Sequence, residues 1–246
     1  NLVELYPLPL GGTAVGTGLN TPKNFDNLIA LDIARKTNLP FESAVNKFAI
    51  MASHDGLVNI MSQLKLLAVS LLKIVNDLRL LSCGPRAGLS ELQLPANEPG
   101  SSIMPGKINP TQCEAMAMVC TQIIGMDTSV SIAGSGGHLQ MNVYKPLIGY
   151  NILKSINLIQ NACKSCREHM IEEIQPNKEK IKEFLDNSLM LVTAIAPSIG
   201  YEKASKIAQL AHKKNLSLKQ ASKELNYIDQ EEFDNLTNPK TMIGEN

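Results

Sequence analysis

The chain has 246 residues, 44% of them hydrophobic, with 23 basic residues against 23 acidic ones and a formal net charge of zero. A chain without net charge has no overall field to recruit nucleic acid or an anionic membrane, so any anion site is expected to be local. The length allows one large core or a core with a small satellite, and two unequal domains are expected.

Thr21-Pro22 predicts the start of a first helix, with Thr as cap, Pro in the first turn, and Phe25, Leu28, Ile29 and Ile33 following at helical spacing. Pro40 is expected to end it. A second, longer helix is predicted from about His54 to Cys83, where Leu57, Ile60, Met61, Leu64, Leu67, Ala68, Leu71, Val75 and Leu78 hold one face. Gly84-Pro85 stops it. From Arg86 to Pro110 the periodicity fails and Gly, Pro, Ser and Asn crowd in, predicting a long loop inside a helical chain. A third helix is expected from about Thr111 to Ala133. After the Gly134-Ser135-Gly136-Gly137 interruption comes a fourth, with Ile152, Ile156, Ile159, Cys163, Cys166 and Met170 as a packing seam.

Gln175-Pro176-Asn177 marks a boundary, beyond which the helices shorten and charge becomes denser. The expected architecture is all-α: a bundle of long helices over 1–175, then a small all-helical domain over 176–246. Lys, Asn, Asp or Gln interrupts the apolar stretches before ~20 residues, which predicts a soluble protein with no membrane partner. Five cysteines, at 83, 113, 120, 163 and 166, are odd in number and scattered, so thiols in a reducing compartment are expected. The opening Asn1-Leu2-Val3-Glu4-Leu5-Tyr6-Pro7 shows no targeting pattern, and the expected location is cytoplasmic.

The most informative stretch is Glu98-Pro99-Gly100-Ser101-Ser102-Ile103-Met104-Pro105-Gly106-Lys107-Ile108-Asn109-Pro110. It joins residues that fix or permit unusual backbone angles to two hydroxyls, an ammonium and a carboxamide, an inventory suited to a carboxylate ligand. Thr111 opens a helix whose N-terminus also favours negative charge. The same composition is what ordinary loops are made of.

As a string, Gly100 to Pro110 resembles the signature of the fumarase, aspartase and argininosuccinate lyase superfamily. Further likenesses flank it: Gly11-Gly12-Thr13-Ala14-Val15-Gly16-Thr17-Gly18-Leu19-Asn20, Asn46-Lys47-Phe48, and Gly84-Pro85-Arg86-Ala87-Gly88-Leu89. Asn97-Glu98-Pro99, Gly106 and Thr111-Gln112-Cys113-Glu114 resemble the class II fumarase branch. So do Glu173-Ile174-Gln175-Pro176-Asn177, Ser188 to Ala194 and Ile199 to Ala204. Leu139-Gln140-Met141-Asn142-Val143 is more similar to aspartases.

The resemblance implies a carbon–oxygen lyase, catalysing the reversible hydration of fumarate to L-malate in the citric acid cycle, without cofactor or metal. It implies a homotetramer in which each site draws on three subunits. Ser101 would be the base that takes the C3 proton, with the Gly100 and Ser102 amides and Lys107 available to stabilise its alkoxide. Glu114 would hold a catalytic histidine. Ser102, Lys107, Ile108 and Asn109 would bind the dicarboxylate substrate. The segments that carry Ser-Ser-Asn and a Thr-His pair in fumarases have no counterpart here, so the chain is expected to be the C-terminal half of such an enzyme and inactive alone. His54, His138, His169 and His212 are expected to be structural or solvent-facing. Aspartate ammonia-lyase and a catalytically inert helical assembly fragment are the alternatives. Cys163-Lys164-Ser165-Cys166 falls mid-helix and is expected to be core packing. The Gly11 to Gly18 run lacks the Gly-Lys-Ser/Thr ending of a phosphate loop.

Overall fold

The structure is a computed structural model that describes residues 2–98 and 100–243. The described residues are mostly helical, and their strands are short bridges such as the parallel pairing of Pro7 with Glu42 and Leu8 with Ser43. Contacts divide the chain into two compact units. One comprises Asn1–Cys83 with Leu92–Gln175, the other Gly84–Glu91 with Pro176–Asn246.

The first unit contains α1 (Phe25–Thr37), α2 (Lys47–Ala52), α3 (Asp55–Leu81), α4 (Thr111–Gly134) and α5 (Lys145–Cys166). Helix α1 begins later than Thr21-Pro22 predicts. Thr21 turns its hydroxyl back to donate to the Gly18 carbonyl at 2.7 Å, and Asn24, in the left-handed region, makes the entry to the helix. The helix stops before Pro40 because Asn38 also adopts the left-handed conformation. Helix α2 has no counterpart in the predicted elements. Its six residues form on the Asn46 cap, whose side chain accepts from the Ala49 amide at 3.1 Å.

Helix α4 is the middle of the bundle, packed on α3 along one side and on α5 along the other. Cys113, Met116, Cys120, Ile123, Val130 and Ala133 are almost fully buried on it, and most are short side chains that admit close helix approach. From α3 come Met61, Ala68 and Val75, and from α5 come Ile148, Ile152 and Ile159. Ser155 takes the seam position that the apolar pattern assigns to Ile156, which is 39% exposed. The buried Ser155 hydroxyl meets the Met126 sulfur at 3.3 Å. The predicted Leu67 is likewise exposed. Lys65 reaches from α3 to the buried carboxylate of Asp127 at 2.6 Å, so a charge pair crosses the core interface.

By length and composition, α3 and α4 are apolar enough to cross a bilayer, which corrects the expectation that every apolar stretch is interrupted too early. Their place in the bundle accounts for this composition: one stripe of each is buried against its neighbours. Outside that stripe, α3 exposes Leu66, Val69, Ile74 and Leu80, and α5 exposes Leu147, Tyr150 and Leu153.

The second unit contains α6 (Lys178–Asn187), α7 (Val192–Ile199), α8 (Tyr201–Lys214), α9 (Leu218–Leu225), α10 (Gln230–Leu236) and α11 (Pro239–Met242). Its core is Ile195, Ala204, Ile207, Ala211, Leu218, Ala221, Ile228 and Phe233. Short helices survive here because their ends are capped. Ser217 and Gln220 form a reciprocal capping box on α9, and the Asp229 carboxylate accepts from the Glu231 and Glu232 amides at the start of α10. Gly84–Glu91 groups with this unit, and the Asn177 amide donates to the Glu91 carbonyl at 2.8 Å.

Candidate active site

The signature loop is closed at its base and open at its tip. The Asn109 carboxamide donates to the Gly100 carbonyl at 2.5 Å, and a Cβ added at Gly100 would lie 1.5 Å from the Lys107 carbonyl oxygen. Only glycine permits that approach. The tip is a turn in which the Lys107 amide donates to the Met104 carbonyl at 3.2 Å and Gly106 takes a φ of +78°. Ser101 and Asn109 are half-buried at the base, whereas Ser102, Lys107 and Ile108 are exposed.

Ser101 is held in a specific way. Its Oγ accepts hydrogen bonds from the amides of Ile103 and Met104, each at 3.2 Å. Two N–H dipoles aimed at one oxygen favour a negative charge there. This corrects the expectation that the Gly100 and Ser102 amides would serve, since the loop folds forward over the serine hydroxyl. Asn109 keeps a second N–H and its carbonyl oxygen beyond the bond to Gly100.

The loop leads directly into the first turn of α4, and three consecutive residues tie that turn down. Gln112 accepts from the Ser165 hydroxyl on α5 at 2.9 Å, the Cys113 thiol meets the Met170 sulfur at 3.4 Å, and Glu114 pairs with Arg79 of α3 at 3.0 Å. Burial, with Cys166 nearby, pushes the Cys113 thiol up to about 11, so it is a packing group rather than a nucleophile. Burial also raises Cys166, which lies in the core with Cys163 packed against it. Among the described residues no group of three or more His, Cys, Asp or Glu side chains could hold a metal ion.

The crevice beside Asn109, Pro110, Thr111 and Gln112 is also lined by Leu94, Pro95, Asn97 and Met170 and offers about 10 Å³. That is room for about one water and not for a four-carbon diacid. A larger open groove, about 360 Å³, runs along Ala117, Met118, Thr121, Gln122 and Gly125 on α4 and includes none of the predicted site residues. The structure therefore brings together Gly100 to Asn109 and anchors Glu114, and the crevice beside Asn109 is too small for the diacid.

None of the four histidine side chains hydrogen-bonds to the loop among the described residues, although the His169 carbonyl accepts from the Asn97 carboxamide at 2.6 Å just before it. His138, His169 and His212 are exposed, and His54 is buried at the start of α3, where burial and then the charge of Lys145 lower its pKa. The glycine-rich run Gly11 to Gly18 packs on its own unit instead of framing a phosphate. A Cβ at Gly16 would lie 2.9 Å from Phe48, and Asp26 bonds Lys47 at 2.8 Å and Ser43 at 3.0 Å. The Lys47 hydrogen bond, ahead of the Asn27 amide and Ser43, lowers the Asp26 carboxyl to about 2. Sequence reasoning missed Arg79, which lies 35 positions before its partner, and the buried Asn142. Asn142 donates to the Ala133 and Gly136 carbonyls and accepts from the Tyr144 amide, so it shapes the turn between α4 and α5.

An all-helical bundle carrying this loop matches a known class. The family model described as Lyase matches residues 2–125, and the one described as Fumarase C C-terminus matches residues 191–244. The chain belongs to the lyase family. It is 69% identical over 244 residues to a class II fumarate hydratase of Prochlorococcus marinus, covering 99% of this chain and 52% of that protein. Identity to the mitochondrial fumarate hydratase of Dictyostelium discoideum is 55% over 243 residues, covering 99% of this chain and 50% of that one. Among solved structures, the class II fumarase of Schistosoma mansoni superposes with a TM-score of 0.92 at 43% identity, covering 97% of this chain and 53% of that one. The cobalt-bound fumarate lyase:delta crystallin of Brucella melitensis gives 0.95 at 34% identity, covering 99% and 53%. The chain spans about half the length of the curated relatives it matches.

Proposed function

We propose that this chain supplies the signature-loop part of a fumarate hydratase active site. The observation that carries the reading is the Ser101 hydroxyl, whose Oγ receives two backbone N–H groups inside a loop built on Gly100 and Asn109. A serine is a weak base unless its alkoxide is stabilised, and this arrangement supplies the stabilisation. In the direction from malate, Ser101 takes the C3 proton and the electron pair spreads into the adjacent carboxylate. The C2 hydroxyl then leaves as water with a proton from an imidazole that Glu114 orients. That imidazole comes from outside this chain. Lys107 and Asn109 hold the substrate carboxylates, with Ser102 and the Ile108 backbone beside them.

In this reading residues 1–175 form the catalytic and assembly part and 176–246 a small accessory domain, in a cytoplasmic enzyme. The exposed apolar residues of α3 and α5 support a homotetramer with shared sites, because these faces find no cover within their own unit. Light scattering on the full-length enzyme is expected to give four times the protomer mass, and a monomer at micromolar concentration contradicts it.

The short stretch Leu139 to Val143 favours a second reading, an aspartase. Supplying the full-length enzyme with fumarate and, separately, with L-aspartate decides between them. Hydration of fumarate without ammonia release from aspartate is expected; ammonia release at a comparable rate overturns the fumarase assignment.

A further inference from the structure

We propose that Arg79 is a positioning residue for the lyase reaction: its guanidinium, at the end of α3, fixes the direction of the Glu114 carboxylate at the start of α4. The inference rests on the reading of Glu114 as the partner of a catalytic imidazole. The pair spans two helix ends that each favour the charge present, a cation in the last turn of α3 and an anion in the first turn of α4. Arg79 Nη2 lies 3.0 Å from Glu114 Oε1. A carboxylate accepts on both oxygens, so a contact at Oε1 leaves Oε2 to receive an imidazole N–H along a defined line.

Stability is not the reason for this pair. Its side chains are 54% and 39% exposed, and ion pairs of that exposure contribute little to folding. The backbone of the turn is secured independently by Gln112 with Ser165 and by Cys113 with Met170. What Arg79 adds is orientation of a side chain that otherwise has several rotatable bonds. A catalytic group displaced by about 1 Å can lose on the order of 100-fold in rate.

The test is a double-mutant cycle in the full-length enzyme with Arg79→Met, Arg79→Lys, Glu114→Gln and the combination of Arg79→Met with Glu114→Gln. Arg79→Met is expected to lower kcat between about 10- and 100-fold with KM nearly unchanged. Arg79→Lys is expected to recover most of the loss. In the Glu114→Gln background Arg79→Met is expected to have almost no further effect, because it acts only through that carboxylate. Circular dichroism with thermal melting confirms that each variant is folded. The inference is overturned if Arg79→Met keeps more than half of the normal kcat, or if its effect is undiminished beside Glu114→Gln. Normal kcat in Glu114→Gln overturns the imidazole-partner reading as well, so the two failures are distinguishable.

Discussion

Replacing Ser101 with alanine in the full-length enzyme is expected to lower kcat by about 10²–10⁴-fold, the usual range for loss of general acid–base catalysis, while KM changes little. Gly100 and Asn109 close the loop, and the closed loop points the Ile103 and Met104 amides at the Ser101 Oγ. These dipoles act on charge that appears only as the proton is taken, so their contribution falls in the transition state. Lys107 is different in kind. It is an exposed ammonium at the loop tip, and in the proposed reading it attracts a carboxylate in the ground state and the transition state alike. Lys107→Met is therefore expected to raise KM strongly, because loss of uniform binding appears in KM and loss of transition-state binding in kcat. Steady-state kinetics on the two variants side by side check the division of labour. A Ser101→Ala enzyme that keeps more than about a tenth of its kcat removes Ser101 from the role of base.

The long helices were legible in the sequence because each buries one stripe, and a stripe at helical spacing is a local signal. The pattern misled where one face is as apolar as another. On α5 it selected Ile156, yet Ser155 is buried, because a small hydroxyl fits against the Met126 sulfur where a larger side chain does not. Helix α2 was invisible because six residues give too few turns for any periodicity, and its existence depends on the Asn46 cap. The start of α1 was misplaced because Asn24 and Asn38 adopt left-handed conformations that residue type permits without requiring.

The family of the loop was legible through its resemblance to a known signature, but its geometry was not. Which amides face Ser101 depends on the turn at Gly106 and on the approach of Gly100 to Lys107, and no spacing rule encodes either contact. Arg79 and Glu114 illustrate the same limit. Their pairing follows from the antiparallel packing of α3 on α4 across the intervening loop, so it emerges only once the bundle is built. The small size of the crevice beside Asn109 is likewise a three-dimensional property. It has a functional meaning in the proposed reading: the loop is one wall of a site whose other walls come from elsewhere.

That claim can be tested directly by measuring fumarate hydration with the isolated 246-residue chain, alone and then mixed or fused with the N-terminal half of the Prochlorococcus marinus relative. The chain alone is expected to show no measurable hydration, since the crevice beside Asn109 admits about one water and none of its histidine side chains bonds to Ser101 or Glu114 among the described residues. Restoring the N-terminal half is expected to produce activity that Ser101→Ala then removes. Robust hydration by the isolated chain would contradict the account, because the catalytic groups would then have to lie entirely within these residues.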